Sequence, residues 1–229
     1  MNGRLVSIIS SVPFLLIVRA GRAQSSTPRE ETWVTNGAVW AIARTADTVY
    51  IGGEFTYVGP YTGGFVPISA STGQPVGVFP RVNGFVYACV PDGAGGWFIG
   101  GELTKIGGVA RNNIAHIRAD GSVDTAWNPN ANDRVYALAV SGTIVYAGGE
   151  FTSIGGQARN YIAALNASTG QATAWNPNAN SGVVALAVSG TTVYAGGYFW
   201  SIGGQRRYNF AQFDPLPPTA VNASLWPLY

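Results

Sequence analysis

A pair of glycines returns every 48 residues in this chain, as Gly52-Gly53, Gly100-Gly101, Gly148-Gly149 and Gly196-Gly197. Each pair follows a β-prone apolar step: Tyr50-Ile51, Phe98-Ile99, Tyr146-Ala147 and Tyr194-Ala195. A fixed period of this length means one supersecondary unit stacked four times. The third copy shows its content. Val135 to Val140 is a short apolar run, Ser141-Gly142-Thr143 is a turn, and Ile144 to Ala147 returns to the glycine pair, which together read as a hairpin. A second pair, Gly155-Gly156, precedes a third run from Asn160 to Leu165. After Ser168-Thr169-Gly170, residues Ala172 to Trp175 make a fourth run, stopped by Asn176-Pro177. Helical periodicity is absent. The pattern predicts four short antiparallel strands per unit, the units covering about 39–79, 86–127, 135–175 and 183–226.

Four such strands are the content of one propeller blade, and radial repetition protects the strand edges. The expected fold is therefore all-β, a β-propeller of four four-stranded blades, closed as a ring or left as an open arc. The string Val145-Tyr146-Ala147-Gly148-Gly149-Glu150-Phe151-Thr152 resembles the repeat of bacterial secreted propellers of the delta-60 type. The glycine pair, the later aromatic Tyr161 and Trp175 resemble the kelch layout, as does the step Phe213-Asp214-Pro215. The resemblance covers residues 39–226. It implies a secreted or surface-displayed module, often part of a larger adhesive or scaffolding protein, and carries over no catalytic residues. Such folds host unrelated functions, so it leaves the ligand open.

The first 23 residues read as a signal peptide. Arg4 supplies a positive start, Leu5 to Val18 an apolar stretch, and Gly21-Arg22-Ala23 the small residues of a cleavage site, with Gln24 as the mature start. The apolar stretch is too short for a comfortable membrane span. Residues 24–38 form an N-terminal segment and 39–229 the repeat domain. Arg4, Arg19 and Arg22 leave with the signal, so 13 basic residues become 10 against 11 acidic ones, and the net charge moves from +2 to −1. No basic cluster survives, which argues against a nucleic-acid partner. The expected partner is an extracellular glycan or protein.

Both ends carry a spare run for an outer strand: residues 30–36 around Trp33, and Leu225-Trp226-Pro227. Either would cap its own end or complete the blade at the other terminus.

Little in the sequence carries chemistry. Cys89 is the one cysteine and aligns with Ile42, Leu138 and Leu186, which predicts a buried, unreactive thiol. His116, the one histidine, aligns with Ile68, Ala164 and Gln212 and has no partners for a metal site or a triad. No cofactor or metal is expected. Glu54, Glu102 and Glu150 recur just after the glycine pair. As carboxylates facing a tunnel they would suit an extracellular glycan-active enzyme, but near-symmetric copies do not split pKa values as an acid/base pair requires. A structural role in a non-enzymatic module is the favoured reading; a fragment of a larger propeller is a further alternative.

Arg111, Arg159 and Arg207 lie nine residues after the glutamate position of their units. The first unit has Gly63 in place of the arginine, and the fourth has Tyr198 in place of the glutamate. Pairing Glu54 with Arg111, Glu102 with Arg159 and Glu150 with Arg207, each across a blade boundary, leaves no charge over. The junction from fourth to first unit is then open or held by other chemistry. For ligand binding, the candidates are Trp127, Asn128 and Asn130 and their repeats Trp175, Asn176 and Asn178, because an indole beside amides suits a sugar. A packing role for the tryptophans, with Asn-Pro as a turn, is the competing reading. Asn166-Ala167-Ser168 and Asn222-Ala223-Ser224 fit the N-glycosylation pattern.

Overall fold

The structure, a computed structural model, describes residues 35–56, 58, 64–76 and 79–215. The predicted signal peptide, Trp33, Gly63 and the run at 225–227 lie outside them.

The described residues form strands and turns only. The first unit is β1 (Ala38–Arg44), β2 (Thr48–Glu54) and β3 (Phe65–Ser69). The second holds β4 (Val82–Pro91), β5 (Trp97–Ile106), β6 (Val109–Ala110) and β7 (Ile114–Ile117). The third runs β8 (Val135–Ser141), β9 (Ile144–Gly149), β10 (Ser153–Ile154), β11 (Gln157–Ala158) and β12 (Ile162–Asn166). The fourth repeats this with β13 (Val183–Ser189), β14 (Thr192–Gly197), β15 (Ser201–Ile202), β16 (Gln205–Arg206) and β17 (Phe210–Phe213). In each unit the glycine pair lies in the middle strand, antiparallel to an inner strand on one side and an outer strand on the other. The four pairs occupy equivalent places, as their spacing predicts.

The four-stranded blade needs correction in the first three units; the run expected in the fourth lies outside the described residues. Where a fourth strand was expected, Pro75, Val123 and Ala172 each make a single bridge, to Ile68, Ile117 and Leu165. In the second and third units one carbonyl of this run is taken by an arginine instead: Asp124 O by Arg111 and Thr173 O by Arg159.

Every inner strand carries a β-bulge at the same point, after Val39, Val86, Val135 and Val183. A bulge leaves its extra residue unpaired and re-aims it. That residue is Trp40, Tyr87, Tyr136 or Val184.

The inner strands pack in series, β1 on β4, β4 on β8 and β8 on β13. Each unit thus offers a forward face to the next unit's backward face. Ala41, Tyr50 and Phe65 face Cys89, Ile99 and Ala115. Ala88, Phe98 and Ile114 face Leu138, Ala147 and Ala163. Ile162 faces Ala195 and Ala211. Burying each large apolar side chain here contributes about 1.5–3 kcal/mol. Cys89 is buried among them and burial alone raises its thiol pKa. Its counterpart Ile42 is exposed, because among the described residues no unit covers the inner strand of the first on its backward side.

Candidate functional site

Three positions of each unit meet at the inner edge: the residue before the bulge valine, the bulge residue, and the residue after the glycine pair. The register joins the first and last of these. Ala38 pairs with Glu54 and Phe85 with Glu102. The Glu150 amide donates to Arg134 O at 2.9 Å, and the Tyr198 amide to Gly182 O at 2.8 Å. The second glycine of the pair allows this closeness. A Cβ at Gly101 would stand 1.9 Å from Phe85 O, and one at Gly149 2.0 Å from Arg134 O.

The bulges line up an aromatic row. Trp40 lies 5.0 Å from Tyr87, and Tyr87 5.3 Å from Tyr136, centroid to centroid. Phe85 meets Trp40 edge-on at 5.5 Å. Beside the row sits a charge cluster. Arg134 Nε donates to Glu102 Oε2 at 2.8 Å, and its Nη1 lies 3.9 Å from Glu150 Oε2. Tyr87 donates its hydroxyl to Glu102 Oε2 at 3.3 Å. The hydrogen bond from Arg134, helped by its charge and by Tyr87, holds the Glu102 carboxyl below the ordinary range against the opposing effect of burial. Burial, then the charge and hydrogen bond of Glu102, push the Tyr87 phenol up. At the boundary of the first two units the edge opens into a cleft of about 450 Å³, lined by Glu54, Asn36, Thr56, Arg81, Asn83 and Phe85 among others. That volume is in the range of small-ligand sites.

The expected Glu–Arg pairs are not formed. Glu102 pairs with Arg134, not Arg159, and Glu150 approaches Arg134, not Arg207. Arg111 and Arg159 stay within their own units as backbone clips. Arg111 donates to Ala110 O at 2.7 Å and Asp124 O at 2.9 Å, and Arg159 to Ala158 O and Thr173 O, both at 2.7 Å. Arg207 keeps the first of these contacts, to Arg206 O at 3.1 Å. Glu54 lines the cleft instead of meeting Arg111. The carbonyls win because they lie one residue away and at the neighbouring outer run, within reach of a guanidinium that burial has already taken from water.

The tryptophan turns are structural too. Trp127 is wholly buried, packs on Phe98 at 4.8 Å and donates its indole N–H to Asn166 O at 3.2 Å. Trp175 is half-buried between Tyr146 and Phe213. Asn130 and Asn178 adopt φ of 54° and 53° and accept from Asn112 and Asn160 at 2.6 and 2.7 Å. Asparagine tolerates this left-handed conformation better than most residues. Asn128 and Asn176 are exposed, and Asn128 lines a polar cleft of about 410 Å³ with Gln157, Thr169 and Gln171.

Two features escaped the sequence reading. Arg134 stands where the other units have Ala38, Phe85 and Gly182, a position with no repeated residue and so with no signal in the repeat. His116 is clamped by Asp92 (3.0 Å) and Asp124 (3.1 Å) while stacked on Phe98 at 4.4 Å. Its register counterpart in the first unit is Pro67, opposite Tyr50 as His116 is opposite Phe98, and not Ile68.

Residues 95–126 and 141–170 match the family described as "Domain of unknown function (DUF5122) beta-propeller". The fold is a β-propeller. A solved structure, that of the computationally designed Ika4 protein, superposes with a TM-score of 0.55 at 17% identity, over 82% of this chain and 99% of that one. At that identity the likeness concerns the fold alone. No curated protein matches the sequence. The two matched stretches lie in the second and third blades, which also hold Glu102, Arg134 and Glu150.

Proposed function

We propose that this propeller, of the delta-60 type with four blades, is a non-enzymatic binding or scaffold module acting outside the cell or at its surface, and that its contact surface is the inner edge. The observation that carries this reading is the row Trp40–Tyr87–Tyr136 beside the cleft at Glu54. Aromatic faces flanked by carboxylates, amides and a guanidinium fit a glycan: the rings stack on the sugar and the polar groups meet its hydroxyls. The Trp-Asn-Pro-Asn turns are not part of the proposed site, because Trp127 offers no face to a ligand. The N-terminal pattern from Arg4 to Ala23 supports export. Catalysis by the glutamates is the weaker reading, since repeated copies in equivalent places do not by themselves split pKa values as an acid/base pair requires.

A glycan and protein binding screen on the purified chain tests the proposal. Trp40→Ala and Tyr87→Ala are expected to abolish whatever binding is found, and Asn128→Ala to leave it unchanged. Binding that survives both aromatic substitutions sinks the assignment of the site.

A further inference from the structure

The described residues of the four blades bury three interfaces of one design and, among themselves, leave its two halves uncovered at the ends. In each interface the first glycine of a pair receives a valine from the next blade: Gly52 takes Val86, Gly100 takes Val135 and Gly148 takes Val183. A Cβ at these glycines would stand 2.5, 2.7 and 2.8 Å from the valine Cγ1. All three valines are wholly buried. Gly196 holds the same place in the fourth blade, yet a Cβ there would meet only Ala185 Cβ at 3.5 Å and Asn209 O at 3.8 Å. Val39, the remaining valine of the series, is 39% exposed. The chain therefore carries an unfilled hole at one end and an unseated knob at the other.

The surroundings agree. Phe210 is 58% exposed, whereas its counterparts Phe65, Ile114 and Ile162 are wholly buried under the following blade. Ile42 is 70% exposed, whereas Cys89 and Leu138 are 6%. Val66 and Ile68 of the first blade are buried with Phe55 and Val58, so the open part of its backward face is the inner strand. The rims also correspond. The second and third blades join through Glu102 and Arg134, and the equivalent positions at the ends are Tyr198 and Ala38. Asn112 and Asn160, which hold the connection to the next blade, are replaced in the fourth blade by exposed Tyr208. The rim of the fourth blade is thus apolar, as are the exposed Val39 and Ile42 of the first.

We propose that the two end faces are the halves of one further interface, formed between two copies of this chain, with Val39 of one seated on Gly196 of the other. Among the described residues of one chain the series β1–β4–β8–β13 does not return to β1 in this way, since both faces stay open. A contact of this head-to-tail kind is heterologous: it closes into a ring of copies or extends. The inference is independent of the ligand reading.

Sedimentation velocity of the wild type, Gly196→Leu and Val39→Glu tests it. The wild type is expected to associate with rising concentration. Each variant is expected to be monomeric with unchanged circular dichroism and melting, because both positions are open in the single chain. An equal mixture of the two variants should restore a one-to-one complex, since each retains the half that the other lacks. A wild type that stays monomeric, or association that both substitutions leave intact, overturns the proposal. In the double variant Val39→Cys/Gly196→Cys, a disulfide between chains is expected; one within a chain would show a single propeller closing on itself and overturn it equally.

Discussion

Arg134 reaches back across a blade boundary to Glu102, 2.8 Å from Nε to Oε2, and the same guanidinium lies 3.9 Å from Glu150 of its own blade. One cation thus serves two of the three repeated glutamates. The pairing lowers the Glu102 carboxyl below its ordinary value of 4.5. A group lowered in the folded state stabilises above its unfolded pKa, and the contribution fades as pH falls through the folded value. Glu102→Gln is therefore expected to be less stable than the wild type at neutral pH and equal to it in acid below the ordinary carboxylate range. The difference should be small and should shrink with added salt, because both side chains are more than two-fifths exposed. Urea denaturation of both proteins at the two pH values measures it.

The two glycines of a pair make different demands. The second lies against the inner-strand backbone, and a Cβ at Gly149 would stand 2.0 Å from Arg134 O. A backbone oxygen cannot swing away as a side chain can. Gly149→Ala should cost about 1–3 kcal/mol through forced displacement. Gly196→Ala, with only ordinary contacts, should stay within about 0.5 kcal/mol of the wild type. Urea midpoints compare the two directly; equal losses would contradict the packing described.

Trp127 and Trp40 separate stability from binding. Trp127→Ala removes a wholly buried indole and its hydrogen bond to Asn166 O, and should cost about 3–5 kcal/mol. Trp40 is two-fifths exposed, so Trp40→Ala should cost less than half as much and act on ligand binding instead. A Trp127→Ala protein that melts like the wild type but loses binding would restore the tryptophan turn as the site.

The repeat was legible because its glycines answer to local constraints. The second needs room for the inner strand and the first for a valine, and both needs recur in successive blades at the same spacing. The counterparts Cys89 and Leu138 were legible for the same reason. Ile42 was not, since its burial depends on a neighbour that the first blade lacks. The Glu–Arg pairing was misread because spacing along the chain says nothing of nearer acceptors. Arg111 and Arg159 found carbonyls of their own blades, leaving Glu102 to an arginine with no repeat counterpart. Comparing the repeats finds what they share, the glutamates included, and the arginine that joins two of them is what they do not share.

The last prediction concerns the charge cluster around His116. Asp124 accepts from His116 Nδ1 at 3.1 Å and from Arg118 Nη2 at 2.6 Å. Burial alone would raise its carboxyl, but the His116 hydrogen bond, the Arg118 charge and the amides of Ala126 and Trp127 outweigh it and hold the group below its usual 3.8. The stabilisation is therefore present above the unfolded aspartate pKa and is lost as pH falls through the lower folded value. Asp124→Asn should cost about 1.5–3 kcal/mol at neutral pH, the range for hydrogen bonds to a charged group, and progressively less in acid. His116→Phe keeps a ring over Phe98, 4.4 Å from the imidazole, but removes the bond to Asp124. In that background the cost of Asp124→Asn should fall by more than half. A double-mutant cycle reads this coupling; additive losses would mean that Asp124 is held by Arg118 and the two amides without His116.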